Sequence, residues 1–266
     1  MRRSCGVPLV AQALALVLCL PSLSAQTADQ LAQEAANPIA DLVSLPIQNN
    51  TDFGLGSFDR ARNVLNFQPV VPLAEGKFIT RTIFPFVRIP DTSAESGTLT
   101  SGLGDVSLTA FYVPGQGAVM WGVGPIAEVP TGGSSRGSEK WSVGPAAVVL
   151  RQQGQWTLGL LANNVFSIAG DEARADVNRG LLQYFIVRQL GNGWYVNSAP
   201  IITVNWEASQ DGWLVPFGGG AGKVFFFGKL PINAQVGAYA NVVKPDFGPD
   251  WQFRVQLQTL FPTPGG

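Results

Sequence analysis

The sequence predicts a transmembrane antiparallel β-barrel of about twelve strands, with a cleaved signal peptide in front of it. Three observations predict this fold: a short apolar segment at the N-terminus, apolar and polar residues that alternate along many short segments, and long connections that alternate with short ones. Charged residues make up only 13% of the chain, against about 25% in ordinary soluble domains. No run of about 18 apolar residues follows the first segment, so the sequence predicts no helical membrane span.

Residues 1–25 have the three parts of a signal peptide. Arg2 and Arg3 supply positive charge, residues 7–20 form an apolar run, and small residues precede the expected cleavage site after Ala25. The apolar run is shorter than the ~20 residues that a membrane-spanning helix needs, which makes a retained anchor the less favoured alternative. A signal peptide implies export across the inner membrane.

The next segment, residues 26–41, differs from both the signal peptide and the strands. Leu31, Ala35 and Ile39 are spaced as on one face of a helix, and Pro38 would end or kink such a helix. Two interpretations stay open: a disordered periplasmic leader, or a short helix that packs at or inside the mouth of the barrel.

Alternation with a period of two is clearest at the C-terminus. Residues 251–261 place apolar side chains on one face and Gln and Arg on the other, and residues 230–243 and 194–206 show a similar pattern. The polar face is rich in Asn, Gln and Thr but has few charges, which favours a narrow lumen over a water-covered surface. The predicted strands are residues 42–48, 62–71, 77–89, 104–113, 118–129, 140–150, 155–168, 178–189, 194–206, 213–227, 230–243 and 251–261.

The connections between these strands alternate long and short. Outer-membrane barrels have short periplasmic turns and longer external loops, and an even number of strands places both chain ends on the side of the short turns. The barrel is therefore predicted to span residues 42–261, with a C-terminal tail at 262–266. A soluble periplasmic β-sandwich is the alternative fold. The predicted long connections are residues 49–61, 90–103, 130–139, 169–177, 207–212 and 244–250, and the short ones are residues 72–76, 114–117, 151–154, 190–193 and 228–229.

Six tryptophans lie at or near predicted strand ends. The indole ring is apolar but its N–H needs a partner, so tryptophan favours the membrane–water interface. The positions therefore predict aromatic girdles, whereas core tryptophans of a sandwich would lie mid-strand more often. The six residues are Trp141, Trp156, Trp194, Trp206, Trp213 and Trp251.

Six charged residues lie within predicted strands or at their ends. An Arg or Lys on the lipid face at the membrane midplane would cost roughly 2–4 kcal/mol, so these side chains are expected to point into the lumen or to lie near an interface. A structural network is favoured over a role in solute selection, because a barrel of this size leaves little interior room. The six candidates for the lumen are Arg81, Asp105, Glu128, Lys140, Lys223 and Arg254.

Four prolines interrupt predicted strands, and each removes a backbone donor from the ladder. Pro85, Pro125, Pro145 and Pro200 are expected at bulges or strand ends. The glycine-rich run at residues 218–223 is expected to let a strand kink or approach another backbone closely. It does not fit a phosphate-binding loop, because the residues that flank it do not match that motif.

Several chemistries are not expected. The chain contains no histidine, so the usual general base is absent, and the sequence predicts that the protein is not an enzyme. Both cysteines, Cys5 and Cys19, belong to the signal peptide, so no disulfide is expected after cleavage. No metal site, no cofactor and no nucleic-acid partner is expected, because the sequence has no suitable ligand set, nucleotide motif or basic tract.

The C-terminal strand closed by Phe261 resembles the assembly signal of outer-membrane barrels, which makes the barrel assembly machinery an expected partner. Other stretches resemble proteobacterial outer-membrane proteins grouped with the phenol meta-degradation pathway, some of which are labelled "neuromedin U". The resemblance implies a barrel in the cell outer membrane, embedded in lipid, that passively transports small solutes, with aromatic or apolar compounds as candidates. A structural or surface-interaction barrel without a conducting pore is the alternative. The stretches are residues 37–50, 121–125, 141–145, 161–164, 200–203 with 205–207, and 249–252.

Overall fold

The computed structural model describes residues 27–115 and 117–262 of the chain. The predicted signal peptide, residues 1–25, and residues 263–266 of the predicted tail lie outside the described residues. Over the described ranges, no helix is both long enough and apolar enough to cross a membrane.

The described residues form two helices and fifteen strand segments, and paired segments run antiparallel. The helices are α1 (Ala28–Ala35) and α2 (Gly133–Arg136). The strand segments are β1 (Leu42–Leu55), β2 (Arg60–Phe67), β3 (Val70–Leu73), β4 (Phe78–Pro90), β5 (Leu99–Leu103), β6 (Val106–Tyr112), β7 (Val119–Val129), β8 (Lys140–Gln153), β9 (Trp156–Gly170), β10 (Asn178–Gly191), β11 (Trp194–Ser198), β12 (Ile201–Asn205), β13 (Trp213–Phe227), β14 (Leu230–Val243) and β15 (Trp251–Pro262).

The segments form one closed barrel of twelve strands. Three pairs of segments each act as one long strand: β2 continues into β3, β5 into β6, and β11 into β12. The ring closes because β1 pairs with β15 and β9 pairs with β10. The predicted fold class, an all-β antiparallel barrel, is confirmed.

Prolines lie at several of the irregular points in the ladder. Pro69 separates β2 from β3 and Pro200 separates β11 from β12, since proline has no N–H to give to a neighbouring strand. Pro125 and Pro145 lie opposite each other in β7 and β8. In β4, the carbonyl of Pro85 accepts a hydrogen bond of 2.7 Å from the N–H of Gly104, which lies in the break between β5 and β6.

Two predicted connections were wrong in extent. β1 runs on to Leu55 instead of stopping at residue 48, and residues 99–103, predicted as loop, form β5. The polar residues after Gln48 resemble a turn, but they continue the ladder between β15 and β2. The first long connection is therefore only residues 56–59, so the alternation of long and short connections is weaker than predicted.

The outward face of the barrel is apolar. On β15, Phe253 and Leu257 point outward and are exposed, whereas Arg254 and Gln258 point inward and are buried. Such a surface is stable against hydrocarbon, and a closed ring leaves no unpaired strand edge there. The barrel therefore crosses a lipid bilayer.

The interior divides into two halves of different chemistry. The apolar half is a packed cluster of inward-facing side chains from β4 and β6 to β10, and the polar half is an amide-rich lining from β14, β15 and β1. The apolar half contains Ile79, Phe111, Met120, Val148, Leu150, Leu161 and Phe185. The polar half contains Gln48, Asn50, Asn233, Gln235, Arg254, Gln256 and Gln258.

Helix α1 lies inside the end of the barrel that carries the short turns. A capping box begins it: the Thr27 hydroxyl accepts a hydrogen bond from the N–H of Gln30, and the Gln30 side chain accepts one from the N–H of Thr27. Leu31 and Ala32 are each 1% exposed. They belong to one cluster with inward-facing residues of β1, β10, β11, β13 and β15, which places the helix within the ring of strands.

Three hydrogen bonds tie the helix to this end of the barrel. Asp29 accepts one from the N–H of Gly193 (2.5 Å), the Gln33 amide donates to the carbonyl of Gly154 (2.9 Å), and the Gln152 amide donates to the carbonyl of Gln33 (2.8 Å). We call residues 27–41 the plug segment. It occupies the short-turn mouth of the lumen.

Candidate functional site in the lumen

A chamber of about 160 Å³ lies between the plug segment and the middle of the barrel. Leu161, Phe185 and Val187 form one wall, and amide side chains of the polar half form the opposite wall. The guanidiniums of Arg81 and Arg254 also line it. The chamber thus offers a small solute an apolar surface, hydrogen-bonding amides and positive charge.

Arg254 forms the boundary of the chamber towards the long loops. Its Nε donates to Oδ1 of Asn50 (3.0 Å) and its Nη2 donates to Oε1 of Gln252 (3.0 Å). The guanidinium also lies over the ring of Tyr239, 4.7 Å from the ring centroid. Arg254 is only 3% exposed, and these contacts compensate for the hydration that its charge has lost.

The Arg254 side chain reaches across the lumen. Its Nη1 donates to the carbonyl of Ala199 (2.9 Å), and the same carbonyl accepts a hydrogen bond from Nε2 of Gln183 (3.2 Å). Ala199 lies in the break between β11 and β12, so its carbonyl is available to side chains. The chain of contacts from Asn50 through Arg254 and Ala199 to Gln183 joins β1 and β15 to β10. We call these four residues the constriction.

Glycines in β13 let other groups pack closely against the strand beside the constriction. The inward-facing Gly222 lies against the ring of Tyr195, and a Cβ at this glycine would lie 2.3 Å from the ring. A little further along the strand, the Ser198 hydroxyl donates to the carbonyl of Gly218 (2.6 Å). The glycine-rich run is therefore part of a strand that other groups approach closely.

A wider cavity, which we call the vestibule, lies on the long-loop side of the constriction. Its volume is about 560 Å³, and it is lined by β9, β10, β12 and the loop at residues 245–249. Two ion pairs lie in or next to it: Arg179 with Glu128 at 2.6 Å and Arg62 with Asp52 at 2.7 Å. The lumen therefore consists of vestibule, constriction, chamber and plug segment, in that order.

Three of the six charges predicted for the lumen line its cavities. Arg81 points into the chamber and donates a hydrogen bond to Oε1 of Gln68. Arg254 belongs to the constriction, and Glu128 lines the vestibule. These three side chains face the interior of the barrel; a role for them in solute passage stays a prediction.

Two more of the six hold loops at the long-loop end. Asp105 accepts hydrogen bonds from the N–H groups of Gly132 (3.0 Å) and Ser138 (2.7 Å), which fixes the loop that contains α2. Lys140 is buried at the start of β8, and its Nζ contacts Asp176 at 3.2 Å. The hydrogen bond and the charge of Lys140 hold the pKa of the Asp176 carboxyl below its ordinary value.

The structure corrects one lumen candidate: Lys223 points outward and lies near the end of the barrel that carries the short turns. The sequence had left both a lumen position and an interface position open. The neighbouring Val224 is fully buried inside the barrel, so the alternation of β13 turns Lys223 outward. Its Nζ lies 4.9 Å from the ring centroid of Trp194, near the short turns. A lysine there can extend its ammonium to the membrane surface.

Several lumen residues were not found from the sequence. Asn50 and Asp52 lay in a predicted loop, and Arg62 was not singled out. Arg179 and Gln183 were within a predicted strand, but the pattern did not distinguish them from other polar positions. The one available signal was the polar alternation of residues 48–52, which is the inward face of β1.

The six predicted girdle tryptophans all point outward and are 42–52% exposed. Trp156 and Trp194 lie at the short-turn end of their strands, and the other four lie at the long-loop end. Trp206 donates its indole N–H to Oδ1 of Asn164 (2.7 Å). Trp121 also points outward near the short turns and was not among the predicted residues.

A groove of about 550 Å³ indents the barrel wall next to the vestibule. Apolar residues such as Ala162, Leu182 and Ile202 line it, and Leu181 and Val204 line both the groove and the vestibule. The two cavities are therefore separated by a thin part of the wall.

Comparison with known proteins places the fold. No family model and no curated protein matches the chain. An outer membrane channel from Pseudomonas putida F1 is similar in structure, with a TM-score of 0.59 and 19% identity, over 83% of this chain and 94% of that chain. The NanC porin is also similar, with a TM-score of 0.55 and 7% identity, over 82% of this chain and all of that chain. This chain is an outer-membrane β-barrel. The predicted localisation and contact with outer-membrane lipid are confirmed.

The prediction that the protein is not an enzyme requires correction. The solved structures that match this outer-membrane barrel include an enzyme, outer membrane phospholipase A from Escherichia coli, with a TM-score of 0.39 and 12% identity, over 87% of this chain and 98% of that chain. The prediction rested on the lack of histidine, and the absence of one residue type does not by itself exclude an activity. At this TM-score the likeness assigns no activity to the protein.

Proposed function

We propose that the protein is a passive channel for small solutes. The observation that carries the proposal is the stack of two cavities inside a closed barrel, separated by one hydrogen-bonded constriction. A solute would enter the vestibule from the long loops, pass Arg254 and Gln183, and reach the chamber. The names of the similar structures, a channel and a porin, support the same function.

The plug segment gives this channel a closed resting state. Residues Glu34 to Pro38 line the chamber on the side of the short turns, so a solute can leave only when they shift. Three hydrogen bonds and the buried Leu31 and Ala32 hold α1 in place. Low basal conductance with an exit controlled by the plug segment is therefore expected.

The solute is small and carries an apolar or aromatic body. The apolar wall of the chamber supports this assignment, as does the apolar groove beside the vestibule. It also agrees with the resemblance to outer-membrane proteins grouped with the phenol meta-degradation pathway. In this proposal the outward tryptophans mark the two membrane boundaries, and Phe261 closes the strand that the assembly machinery recognises.

A reversible crosslink tests the channel and its exit together. Gln33 of α1 and Gln152 of β8 are in hydrogen-bond contact, so a short bismaleimide linker that contains a disulfide should join Gln33→Cys to Gln152→Cys and pin α1. In liposomes, the protein should pass small neutral aromatics after reductant has cleaved the linker, and several-fold less before cleavage. The two single-cysteine variants, treated with the same linker, serve as controls.

A second variant tests the constriction. Arg254→Ala with Gln183→Ala removes the crossing side chains, so flux should rise several-fold over wild type. If wild type and this variant both pass no solute, the channel proposal is wrong. A surface-interaction role then becomes the better hypothesis. The ordered long loops favour that alternative, since Arg136 and Arg174 each donate hydrogen bonds to loop or strand carbonyls there.

A further inference from the structure

We propose that the chamber is a binding site for a small organic anion, a single carboxylate on a compact apolar body such as an aromatic ring. This inference rests on the proposed channel and names the class of solute that the channel holds midway. The inference rests on three features: which lumen cations form ion pairs with carboxylates, which hydrogen-bond donors the unpaired ones keep, and the walls and volume of the chamber.

The cations of the lumen differ in their partners. Arg62, Arg179 and Lys140 each form an ion pair with a carboxylate, at 2.7, 2.6 and 3.2 Å. Arg81 and Arg254 form no ion pair with any carboxylate of residues 27–115 and 117–262. These two arginines line the same chamber, so positive charge is concentrated there.

The unpaired arginines keep donors for a ligand. A guanidinium has five N–H donors. Arg81 gives one hydrogen bond, to Gln68, and Arg254 gives three, to Asn50, Ala199 and Gln252. Both residues line the chamber, and both keep N–H groups that give no hydrogen bond to the described residues. Arginine binds carboxylates through such groups with charge-assisted hydrogen bonds.

One acidic residue, Glu34, lies among the chamber-lining residues, and it belongs to the plug segment. Two arginines against one glutamate leave the chamber with an excess of positive charge. Charge interactions in a site with apolar walls are much stronger than in bulk water. The chamber therefore attracts an anion more strongly than a neutral solute of equal size.

The remaining walls define the body of the ligand. Leu161, Phe185 and Val187 present an apolar surface on the side away from the amides. The volume of about 160 Å³ is close to that of an engineered apolar cavity that holds benzene, roughly 150 Å³. A benzoate-like anion would place its ring on the apolar wall and its carboxylate on the arginines.

Binding to the detergent-solubilised full-length mature protein tests this directly, with sodium benzoate as the probe in calorimetric titrations. Benzoate should bind at least tenfold more tightly than benzamide, which lacks the charge, and at least tenfold more tightly than acetate, which lacks the ring. These comparisons use wild type only, so they do not depend on how variants fold. Equal affinity for benzoate and benzamide would overturn the proposal.

Charge variants locate the site. Arg81→Gln and Arg254→Gln should each weaken benzoate binding about tenfold, whereas Arg81→Lys, which keeps the charge, should lose less. Arg188→Gln is the matched control, because Arg188 is exposed on the outside of the barrel over the ring of Trp156. Loss of binding in Arg188→Gln to the same extent would place the anion outside the lumen.

Flux of a neutral solute separates this inference from the proposed function. If benzoate fails to bind while benzamide still crosses liposomes, the anion site is wrong and the channel stands. If benzoate binds as expected but no solute crosses, the site stands and the channel is wrong.

Discussion

The two halves of the barrel interior fill space in different ways. In the apolar half, Ile79, Phe111 and Leu150 are almost fully buried against one another. In the polar half, Asn233 accepts a hydrogen bond from the Tyr195 hydroxyl (2.7 Å) and donates one to Gln258 (3.2 Å). Both halves block the lumen, but by dispersion contacts on one side and by hydrogen bonds on the other.

This difference decides where a solute can pass. Opening the apolar half would create a cavity that no polar solute or water could fill favourably. Opening the polar half exchanges one hydrogen-bond partner for another, which costs little when water or solute replaces the lost group. The path of the proposed channel therefore runs along the polar half, with the apolar half as a fixed wall.

The largest effect, a loss of assembled protein, is expected at the seam of the barrel, which lies in the polar half. β1 and β15 meet there, and Phe261 faces outward opposite Val43. Phe261→Asp should remove most of the assembled protein from the outer membrane without affecting export, because it alters the terminal aromatic and places a charge at the closing strand pair. Gel mobility with and without heating measures the assembled fraction.

Thr259→Asp is the matched control for the seam, because Thr259 faces the same side of β15 two residues earlier. It should assemble far better than Phe261→Asp. Equal loss in the two variants would show that any outward charge on this strand is harmful and that Phe261 has no special role.

The next largest expected effect is on the free energy of unfolding, where one variant in each half allows a direct comparison. Phe111→Ala should lower the free energy of unfolding by about 3–5 kcal/mol, since it leaves a cavity among rigid apolar neighbours. Asn233→Ala should cost only about 1–3 kcal/mol, because its hydrogen-bond partners can turn to other groups in the polar half. Urea unfolding of the protein in lipid vesicles measures both values.

Phe86→Ala provides the control for the apolar half. Phe86 is on the outward face of β4 and is exposed, so lipid can replace its contacts and the loss should be much smaller than for Phe111. A loss as large at Asn233 as at Phe111 would contradict the distinction between a packed and a hydrogen-bonded half.

The same distinction explains which strands were clear from the sequence. Residues 230–243 and 251–261 showed the strongest alternation because they line the polar half, where an apolar outward face meets a polar inward face. In β6 to β9 the inward residues, such as Phe111, Val148 and Leu161, are also apolar. A period of two fades when both faces are apolar, so the sequence predicted strands there without predicting which face was inside.

The constriction could not have been predicted from spacing. Arg254 stood out as a charge within a clear strand, and its inward orientation followed from the alternation. Its contact with Ala199, however, depends on the break at Pro200 and on the glycines that pair in register between the two sides, Gly237 of β14 and Gly220 of β13. These features lie on strands that are distant in sequence, and no local pattern connects them.

The smallest expected effect is on the pKa of a loop carboxyl at the charged end of the apolar half. Lys140 is 7% exposed at the start of β8, and Asp176 in the loop 171–177 contacts it. The pKa of Asp176 lies below its ordinary value of 3.8, first because of the hydrogen bond from Lys140. A carboxyl with a lowered pKa contributes stability above its unfolded-state value, and that contribution is lost as the pH falls through the folded-state value. The loop should therefore loosen only below the ordinary carboxyl range.

In Lys140→Met the pKa of Asp176 should rise towards 3.8, measured by NMR titration of its carboxyl carbon. The pKa of Asp91 is lowered mainly by hydrogen bonds from Ser93, so it should stay unchanged and serves as the internal control. An unchanged titration of Asp176 would mean that Lys140 does not hold this loop, and the apolar half would then end in an unpaired buried cation.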